Sequence, residues 1–210
     1  MKIIPLTYCG FFDLYANTYV LVDENDEALI IDPSKEGDSL IAFLKENEIT
    51  PKGILLTHGH FDHIRGVDIL VKTYNIPVFI HREDTKLLKD SHLNCSDRFS
   101  RKEITVNSEV KTINEGDIIS LLSEKIEVIE TPYHTEGSVC FYLKDSNAVF
   151  TGDSLFKSSL GRCDFPSSDP SKIESSVRKI LSLPEETKIY PGHNEETTVK
   201  DERIANKFVK

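Results

Sequence analysis

Three histidines and one aspartate stand close together in residues 57–63, whose sequence is THGHFDH. His58 and His60 are two positions apart, so their side chains point the same way if the chain is extended there. Asp62 and His63 follow at the point where the chain would turn towards a helix. Imidazole and carboxylate groups are ligands of zinc and similar cations, and a bound cation would offset the desolvation cost of packing these groups together. This segment therefore predicts a metal site.

Three further residues of the same types each follow an apparent strand. These are His134, Asp153 and His193. Rigid strands fix where the next side chain points, so strand ends suit a ligand. Taken singly each residue indicates only polar surface, but with the first segment they place five of the seven histidines in one recurring setting. The other two differ, and we interpret His81 as a strand-end surface residue and His92 as part of a polar loop.

Short apolar runs alternate with amphipathic stretches along the chain. Helical spacing of apolar residues marks residues 39–47, 67–74 and 170–181. Strand-like runs occupy residues 18–22, 28–31, 53–57, 77–80, 125–130, 138–143, 148–151 and 188–190. The polar stretch 91–101 is not periodic and is interpreted as a loop that borders the site. This mixture predicts one α/β domain over residues 1–210 with sheet between helical layers.

Composition narrows the classes of partner. The formal charge of −10 and the pI near 5.2 argue against nucleic acid, whose phosphates attract basic surfaces. No apolar run approaches the roughly 18–20 residues of a membrane helix, and the N-terminal run is too short for a signal peptide, so we expect a cytoplasmic protein without a membrane partner. The four cysteines form no C-x-x-C pair and are expected to be reduced thiols, in ordinary packing or, for Cys163, in a loop. They are Cys9, Cys95, Cys140 and Cys163.

The combined motifs resemble the metallo-β-lactamase superfamily. The resemblance rests on the pattern H-x-H-x-D-H at 58–63, TPYHTEGS at 131–138, TGD at 151–153 and PGH at 191–193. Within that superfamily, GDSLF at 152–156 followed by GRCDFP at 161–166 is similar to the glyoxalase II-like branch. The resemblance implies an α/β fold, the αβ/βα four-layer sandwich, in a single domain with metals at one edge of two facing sheets.

The resemblance also implies a ligand set and an activity. One metal would be held by His58, His60 and His134, the other by Asp62, His63 and His193, with Asp153 bridging. The ions would most naturally be zinc, with iron or manganese also accepted by these ligands. Two cations about 3.5–4 Å apart would supply a bridging hydroxide that attacks the carbonyl of a small-molecule thioester such as S-lactoylglutathione. Asp62 is assigned a catalytic role as well as a ligand role, and the oligomeric state stays open.

Other activities on the same scaffold stay open. The main alternative is a persulfide dioxygenase with one iron held by His58, His134 and Asp153; Pro166 tips the balance mildly to the hydrolase. Lactone or β-lactam hydrolysis has no specific residue in its favour, and a non-catalytic binding role conflicts with the intact ligand set. Only 17 residues follow His193, so the chain resembles the short form without the helical region that grips glutathione.

Several positions depart from the family pattern. Tyr133 replaces a usual glycine, Glu136 a usual proline and Cys163 a usual threonine. Tyr133 could narrow the pocket, offer its phenol to the substrate or pack against a loop. We expect Arg162 and Asp164 to form a structural pair. Lys157 is a candidate anchor for an anionic thiol, although a solvated loop lysine fits better. No other substrate-binding residue is assigned.

Overall fold

The computed structural model describes residues 1–8 and 14–208, so Cys9 lies outside the described residues. It contains two six-stranded sheets. The first has the order β1 to β6: Lys2–Leu6, Thr18–Val22, Glu27–Ile31, Thr50–Leu55, Val78–His81 and Lys111–Ile113. The second, read in chain order from one edge to the other, has β7 to β12: Ile118–Ile119, Ile126–Glu130, Val139–Leu143, Ala148–Gly152, Lys188–Pro191 and Thr197–Thr198. Strands β3 to β6 are parallel neighbours, as are β10 and β11.

The central strands are buried on both faces. Along β2, Tyr19 and Leu21 pack in the core between the sheets, whereas Val20 and Val22 pack in the core outside the first sheet. Successive side chains of a strand point to opposite faces, so a strand covered on both sides reads as a continuous apolar run. The antiparallel pairing of β2 with β3 joins the strand-like runs at 18–22 and 28–31 into a hairpin.

Helices cover the outer face of each sheet. Three lie over the first sheet: α1 (Ser39–Glu46), α2 (Phe61–Ile64) and α3 (Val67–Tyr74). Two lie over the second: α5 (Ile173–Leu181), preceded by the 3-10 turn Pro170–Lys172, and α6 (Val199–Ala205). The resulting order of layers, helix, sheet, sheet, helix, is the expected αβ/βα sandwich. No helix in the described parts of the chain is both long and apolar enough to cross a membrane.

Two local expectations are wrong. The stretch 91–101 is not all loop, because Ser96–Phe99 forms a short helix, α4. His81 is buried rather than on the surface: its Nε2 lies 2.8 Å from Glu130 Oε1 of the facing sheet. A lone polar residue at a strand end gives no hint of a partner 49 positions away. Among the described cysteines, Cys95 and Cys140 are buried free thiols and Cys163 is a half-buried one.

Candidate metal centre

The predicted ligand residues meet at one edge of the sandwich, past the carboxyl ends of the strands. Two of them, His58 and His60, follow β4, while Asp62 and His63 lie in α2, which begins directly after His60. The other three follow strands of the second sheet: His134 after β8, Asp153 after β10 and His193 after β11. Parallel strands end at a common edge, and this is where open α/β sheets bind ligands.

Gly152 is the last residue of β10, and its conformation places Asp153 at this edge. Its φ of +49° lies in the left-handed region, and a Cβ there would stand 2.3 Å from Thr57 Oγ1. Any side chain would therefore push the two sheets apart at the centre, and glycine is the residue that tolerates both restrictions.

The donor atoms form three overlapping groups. In each group one ligand atom per residue lies within 4.8 Å of the others: His58 with His60 and His134, Asp62 with His63 and His193, and His58 with His63 and Asp153. His60 Nδ1 is 2.9 Å from His134 Nε2, and His193 Nε2 is 3.1 Å from Asp62 Oδ2. The first two groups are the two ligand sets expected from the sequence, and the third places Asp153 between them. The ligand roles themselves stay predictions.

The donor atoms suit a divalent cation. His58 Nε2 and His63 Nε2 are buried and have no hydrogen-bond partner among the described residues. Asp153 Oδ1 approaches His63 Nε2 only to 3.4 Å. A buried polar atom without a partner costs about 1–3 kcal/mol, and several that face one another across a small space are what a bound cation would satisfy. Imidazole nitrogen and carboxylate oxygen are donors that zinc, iron and manganese accept.

A buried carboxylate behind the centre orients two of the rings. Asp32 Oδ2 accepts from the hydroxyl of Thr57 at 2.6 Å and lies 2.9 Å from Nδ1 of His63. With its proton given to Asp32, Thr57 Oγ1 can accept from His58 Nδ1, 3.2 Å away. We therefore assign the Nδ1–H tautomer to His58 and a protonated Nδ1 to His63. In both rings Nδ1 is engaged behind the site, so Nε2 faces the centre, as in metal sites with a supporting outer shell.

Electrostatics divides the histidines into two groups. Burial and the neighbouring rings lower the pKa of His60 to about 3 and hold the pKa of His58 well below its usual value, so both rings are neutral at pH 7. Burial opposes the charged form of His63 too, but Asp32, Asp62 and Asp153 outweigh it and raise its pKa. Despite burial, His193 and His63 hold the pKa of Asp153 well below its ordinary value. The centre thus presents neutral nitrogen donors at His58 and His60 beside an ionised oxygen donor at Asp153.

Asp84 connects two ligand-bearing loops and was not anticipated from the sequence. Its buried carboxylate accepts from Gly59 N at 2.8 Å, Gly137 N at 2.8 Å and Thr135 Oγ1 at 2.7 Å. Burial raises its pKa against the effect of these hydrogen bonds. A Cβ at position 137 would lie 2.6 Å from Asp84 Oδ1, which explains the glycine there. One aspartate in an otherwise unremarkable stretch gives no sequence signal for this role.

Tyr133 braces the loops around His134 from within the protein. It is fully buried, and its hydroxyl accepts from Gly161 N at 3.2 Å and donates to the carbonyl oxygen of Ser154. The Gly161 loop continues to Arg162, whose carbonyl accepts from His134 Nδ1 at 2.7 Å. Of the three roles considered for Tyr133, the structure shows packing against loops, with the phenol hydrogen-bonded in the interior.

A cavity of about 360 Å³ opens above the ligand cluster. Its walls are largely apolar: Leu14, Phe99, Phe156, Leu160 and Phe165. The Phe165 ring stands edge-on to His60 at 5.1 Å and to His134 at 5.7 Å, so it borders the reacting space directly. Cys95 and Phe99 bring residues 91–101 to the cavity, as expected.

The charged residues near the rim are paired. Arg162 lines the cavity and forms a two-point ion pair with Asp164, at 2.9 Å and 2.8 Å, as expected. Lys157 is exposed and pairs with Glu195 at 2.6 Å. It is therefore the solvated lysine that the sequence favoured, and the structure gives no support to its use as a substrate anchor.

Residues 12–193 match the sequence model of the metallo-beta-lactamase superfamily. The chain is 36% identical over 197 residues to the probable metallo-hydrolase YqgX of Bacillus subtilis, with 93% of each chain covered. It is 33% identical over 211 residues to the hydroxyacylglutathione hydrolase GloC of Haemophilus influenzae, with 100% of this chain and 97% of the relative covered.

Solved structures share the whole architecture. The BLEG-1 B3 metallo-beta-lactamase superposes with a TM-score of 0.92 at 35% identity, covering 100% of both chains. TTHA1623, solved in a di-iron-bound form, gives 0.87 at 33% identity, covering 98% of this chain and 100% of the other. ETHE1 from Myxococcus xanthus gives 0.78 at 26% identity, covering 100% of this chain and 84% of the other. These matches confirm the expected fold as a single domain.

Proposed function

The chain belongs to the metallo-beta-lactamase superfamily, and from that premise we propose that it is a metal-dependent hydrolase of thioesters, acting on S-lactoylglutathione or a related acyl-thiol. One observation carries the proposal: two three-residue donor sets lie next to each other beneath one cavity, and Asp153 and members of both sets line that cavity. Such a pair of sets suits two cations and leaves coordination positions open for water and substrate. The full length match to GloC supports the choice of thioester.

The chain's own residues prepare the donors. Two divalent cations, zinc first and iron or manganese as alternatives, would lower the pKa of water and polarise the substrate carbonyl when bound. Burial keeps His58 and His60 neutral and ready to donate nitrogen lone pairs. Asp32 and the carbonyl of Arg162 engage the outer nitrogens of His63 and His134. No rotation of these rings is then needed when substrate arrives.

Asp62 is the acidic side chain that we assign to proton transfer. Its carboxylate lines the cavity and lies 3.1 Å from His193 Nε2 through Oδ2. The Asp62 carboxylate is thus placed to accept a proton from attacking water while it also serves as a ligand. The apolar wall at Phe165 and Phe99 limits water around the acyl group, which strengthens electrostatic interactions at the carbonyl.

A cysteine nucleophile is disfavoured by the same structure. Burial raises the pKa of the Cys95 thiol to about 11 and that of Cys140 to about 12. Thiols with such values are protonated at pH 7, and only a thiolate attacks a carbonyl efficiently. Cys95 therefore contributes to the cavity wall as a small apolar group.

A persulfide dioxygenase is the second candidate, favoured by the structural likeness to ETHE1. In that reading His58, His134 and Asp153 would hold a single iron, and His134 Nε2 does lie 3.5 Å from Asp153 Oδ2. A two-His, one-carboxylate site suits Fe(II) and dioxygen. A single-iron site, however, assigns no role to the second donor set of Asp62, His63 and His193. That unexplained set favours the hydrolase.

The test is turnover of a panel of substrates by metal-loaded protein. We expect loss of thioester absorbance with S-lactoylglutathione, no oxygen uptake with glutathione persulfide, and little turnover of a β-lactam such as nitrocefin. Asp62→Asn should lower kcat/KM about 100-fold or more if it both binds metal and moves a proton. Asp145→Asn, at an exposed turn position, is the matched control and should leave kcat/KM unchanged. Persulfide-dependent oxygen uptake without thioester loss would overturn the proposal.

A further inference from the structure

A second cavity of about 290 Å³ lies next to the cavity above the metal centre and is rich in basic side chains. We call it the Arg65 pocket. Four basic side chains line it, Lys35, Arg65, Arg101 and Lys102, against one carboxylate among the described lining residues, that of Glu36. In a chain with a formal charge of −10, such a concentration of positive charge around one cavity indicates an anionic ligand.

Arg65 is held in a fixed orientation, and part of its guanidinium group has no hydrogen-bond partner among the described residues. Its side chain is 5% exposed, and its guanidinium packs against the rings of Tyr15 at 5.4 Å and Phe61 at 5.0 Å. Nε and Nη2 are buried and have no hydrogen-bond partner in the described parts of the chain. Among the described residues, Glu36 is the acid near this guanidinium, with its Oε1 3.7 Å from Nη1.

The two unpartnered nitrogens form one edge of the guanidinium plane. This edge matches two oxygens of a carboxylate or phosphate, the geometry in which arginine binds oxyanions most strongly. Ser100 Oγ, another buried atom without a hydrogen-bond partner among the described residues, lines the same pocket and can add a third donor. Glu36 is half exposed and pairs more closely with Lys102 Nζ, at 2.6 Å, so its single charge is shared between Lys102 and Arg65.

The Arg65 pocket shares a wall with the catalytic cavity. Leu14 and Phe99 line the catalytic cavity, while their chain neighbours Tyr15 and Ser100 line the Arg65 pocket. Phe61 also lines the catalytic cavity, and its ring packs on Arg65. The two cavities are therefore neighbours, separated by the segments 14–15 and 99–100 and by the Phe61 ring.

From these contacts we propose that the Arg65 pocket is an oxyanion subsite that binds a carboxylate or phosphate carried on an arm of the substrate. The proposal rests on the proposed thioester hydrolysis. It narrows the substrate class to thioesters with an anionic arm, and it assigns the selection of that arm to Arg65 with support from Ser100.

The test compares lactoyl thioesters that differ only in the thiol. S-lactoylglutathione carries carboxylates, lactoyl-coenzyme A carries phosphates, and the lactoyl thioester of N-acetylcysteamine is neutral. Arg65→Gln should lower kcat/KM for at least one anionic thioester about 10- to 100-fold, mainly through KM, because a charge-assisted contact is lost. The neutral thioester should change less than about threefold. Which anionic thioester is affected identifies carboxylate or phosphate as the preferred group.

Two further variants separate binding from structure. Ser100→Ala should give a smaller loss with the same selectivity. Arg178→Gln, in which an exposed arginine of α5 is replaced, is the charge-matched control and should leave all three substrates unaffected. An equal loss of kcat/KM for neutral and anionic thioesters would show that Arg65 acts only on the structure, and no loss for any of them would show that the pocket is not used; either result overturns the proposal.

Failure of the hydrolase proposal is distinguishable from failure of the subsite. If wild-type protein turns over none of the thioesters, inorganic phosphate becomes the probe, titrated by calorimetry against wild type and Arg65→Gln. Saturable phosphate binding that Arg65→Gln loses would still support the oxyanion subsite. Identical isotherms for the two proteins would overturn it, because phosphate at the metal centre alone would be insensitive to residue 65.

Discussion

Asp32 and His63 form a buried pair in which Asp32 Oδ2 and His63 Nδ1 lie 2.9 Å apart, on the side of the ring away from the metal centre. Asp32 sits at a φ of +49°, directly after β3, and its other carboxylate oxygen accepts from Thr57 N at 2.8 Å. One side chain thus ties β3 to the segment that carries His58 and His60 and also fixes the His63 ring.

Replacing Asp32 should weaken metal binding without removing a ligand. In Asp32→Asn the amide keeps the size of the side chain but can no longer stabilise the proton on His63 Nδ1 as an anion does. We expect metal affinity to fall about 10- to 100-fold, the usual effect of losing a supporting partner. Competition with a chromophoric chelator measures this. Unchanged affinity, with Asp145→Asn as the control, would contradict the assigned role.

Asp84 offers a test of the link between the two ligand loops. Asp84→Asn removes one acceptor oxygen and leaves one of the donors from Gly59, Gly137 and Thr135 unmatched in the interior. We expect the free energy of unfolding to fall by about 1–3 kcal/mol, measured by urea denaturation. Asp84→Ala should lose at least as much. Wild-type stability in both variants would show that these hydrogen bonds do not hold the loops.

Asp68 should make stability depend on acid pH. Burial alone would raise its pKa, but hydrogen bonds from Ser108 and Asn107 outweigh burial and lower it. A carboxylate with a lowered folded-state pKa contributes stability above its unfolded value of about 3.9, and the contribution is lost as pH falls through the folded value. The stability difference between wild type and Asp68→Asn should therefore be largest at pH 6–7 and shrink below pH 4. A difference that grows on acidification would contradict the assignment.

The cysteines should differ in reactivity. Burial raises the pKa of Cys95 to about 11 and that of Cys140 to about 12, whereas Cys163 is half-buried. At pH 8 iodoacetamide should modify Cys163 well before the two buried thiols, because the thiolate is the reacting species. Site-resolved mass spectrometry of the native protein measures the order, and urea-unfolded protein is the control. Rapid labelling of Cys95 in native protein would contradict a buried, protonated thiol.

The sequence predicted which donor residues meet at the site better than it predicted the residues that support them. His58, His60, Asp62 and His63 stand in one short segment, so their spacing carries the signal locally. The three remaining candidate ligands each follow a strand, and strands of a sandwich end at shared edges. The α/β sandwich was predictable as well, because apolar runs in the sequence mark the strands that are buried on both faces.

The supporting residues depend on contacts between distant parts of the chain. Asp84 meets Gly137 across 53 positions and His81 meets Glu130 across 49, and no local pattern encodes either pairing. Arg65 comes two positions after the segment 57–63, and in the sequence it resembles any surface arginine. Only the structure shows that the rings of Tyr15 and Phe61 pack against it. In residues 91–101, α4 leaves no signal in the sequence because a helix of four residues is too short to show helical periodicity.

Metal titration of chelator-stripped protein tests the central claim most directly. Zinc would be added in known amounts while S-lactoylglutathione hydrolysis is followed, with bound metal measured by elemental analysis at each point. The two donor sets predict that activity rises until two metals are bound per chain and then stays constant. Saturation at one metal per chain with no thioester loss, together with persulfide-dependent oxygen uptake by the iron-loaded form, would contradict the binuclear hydrolase.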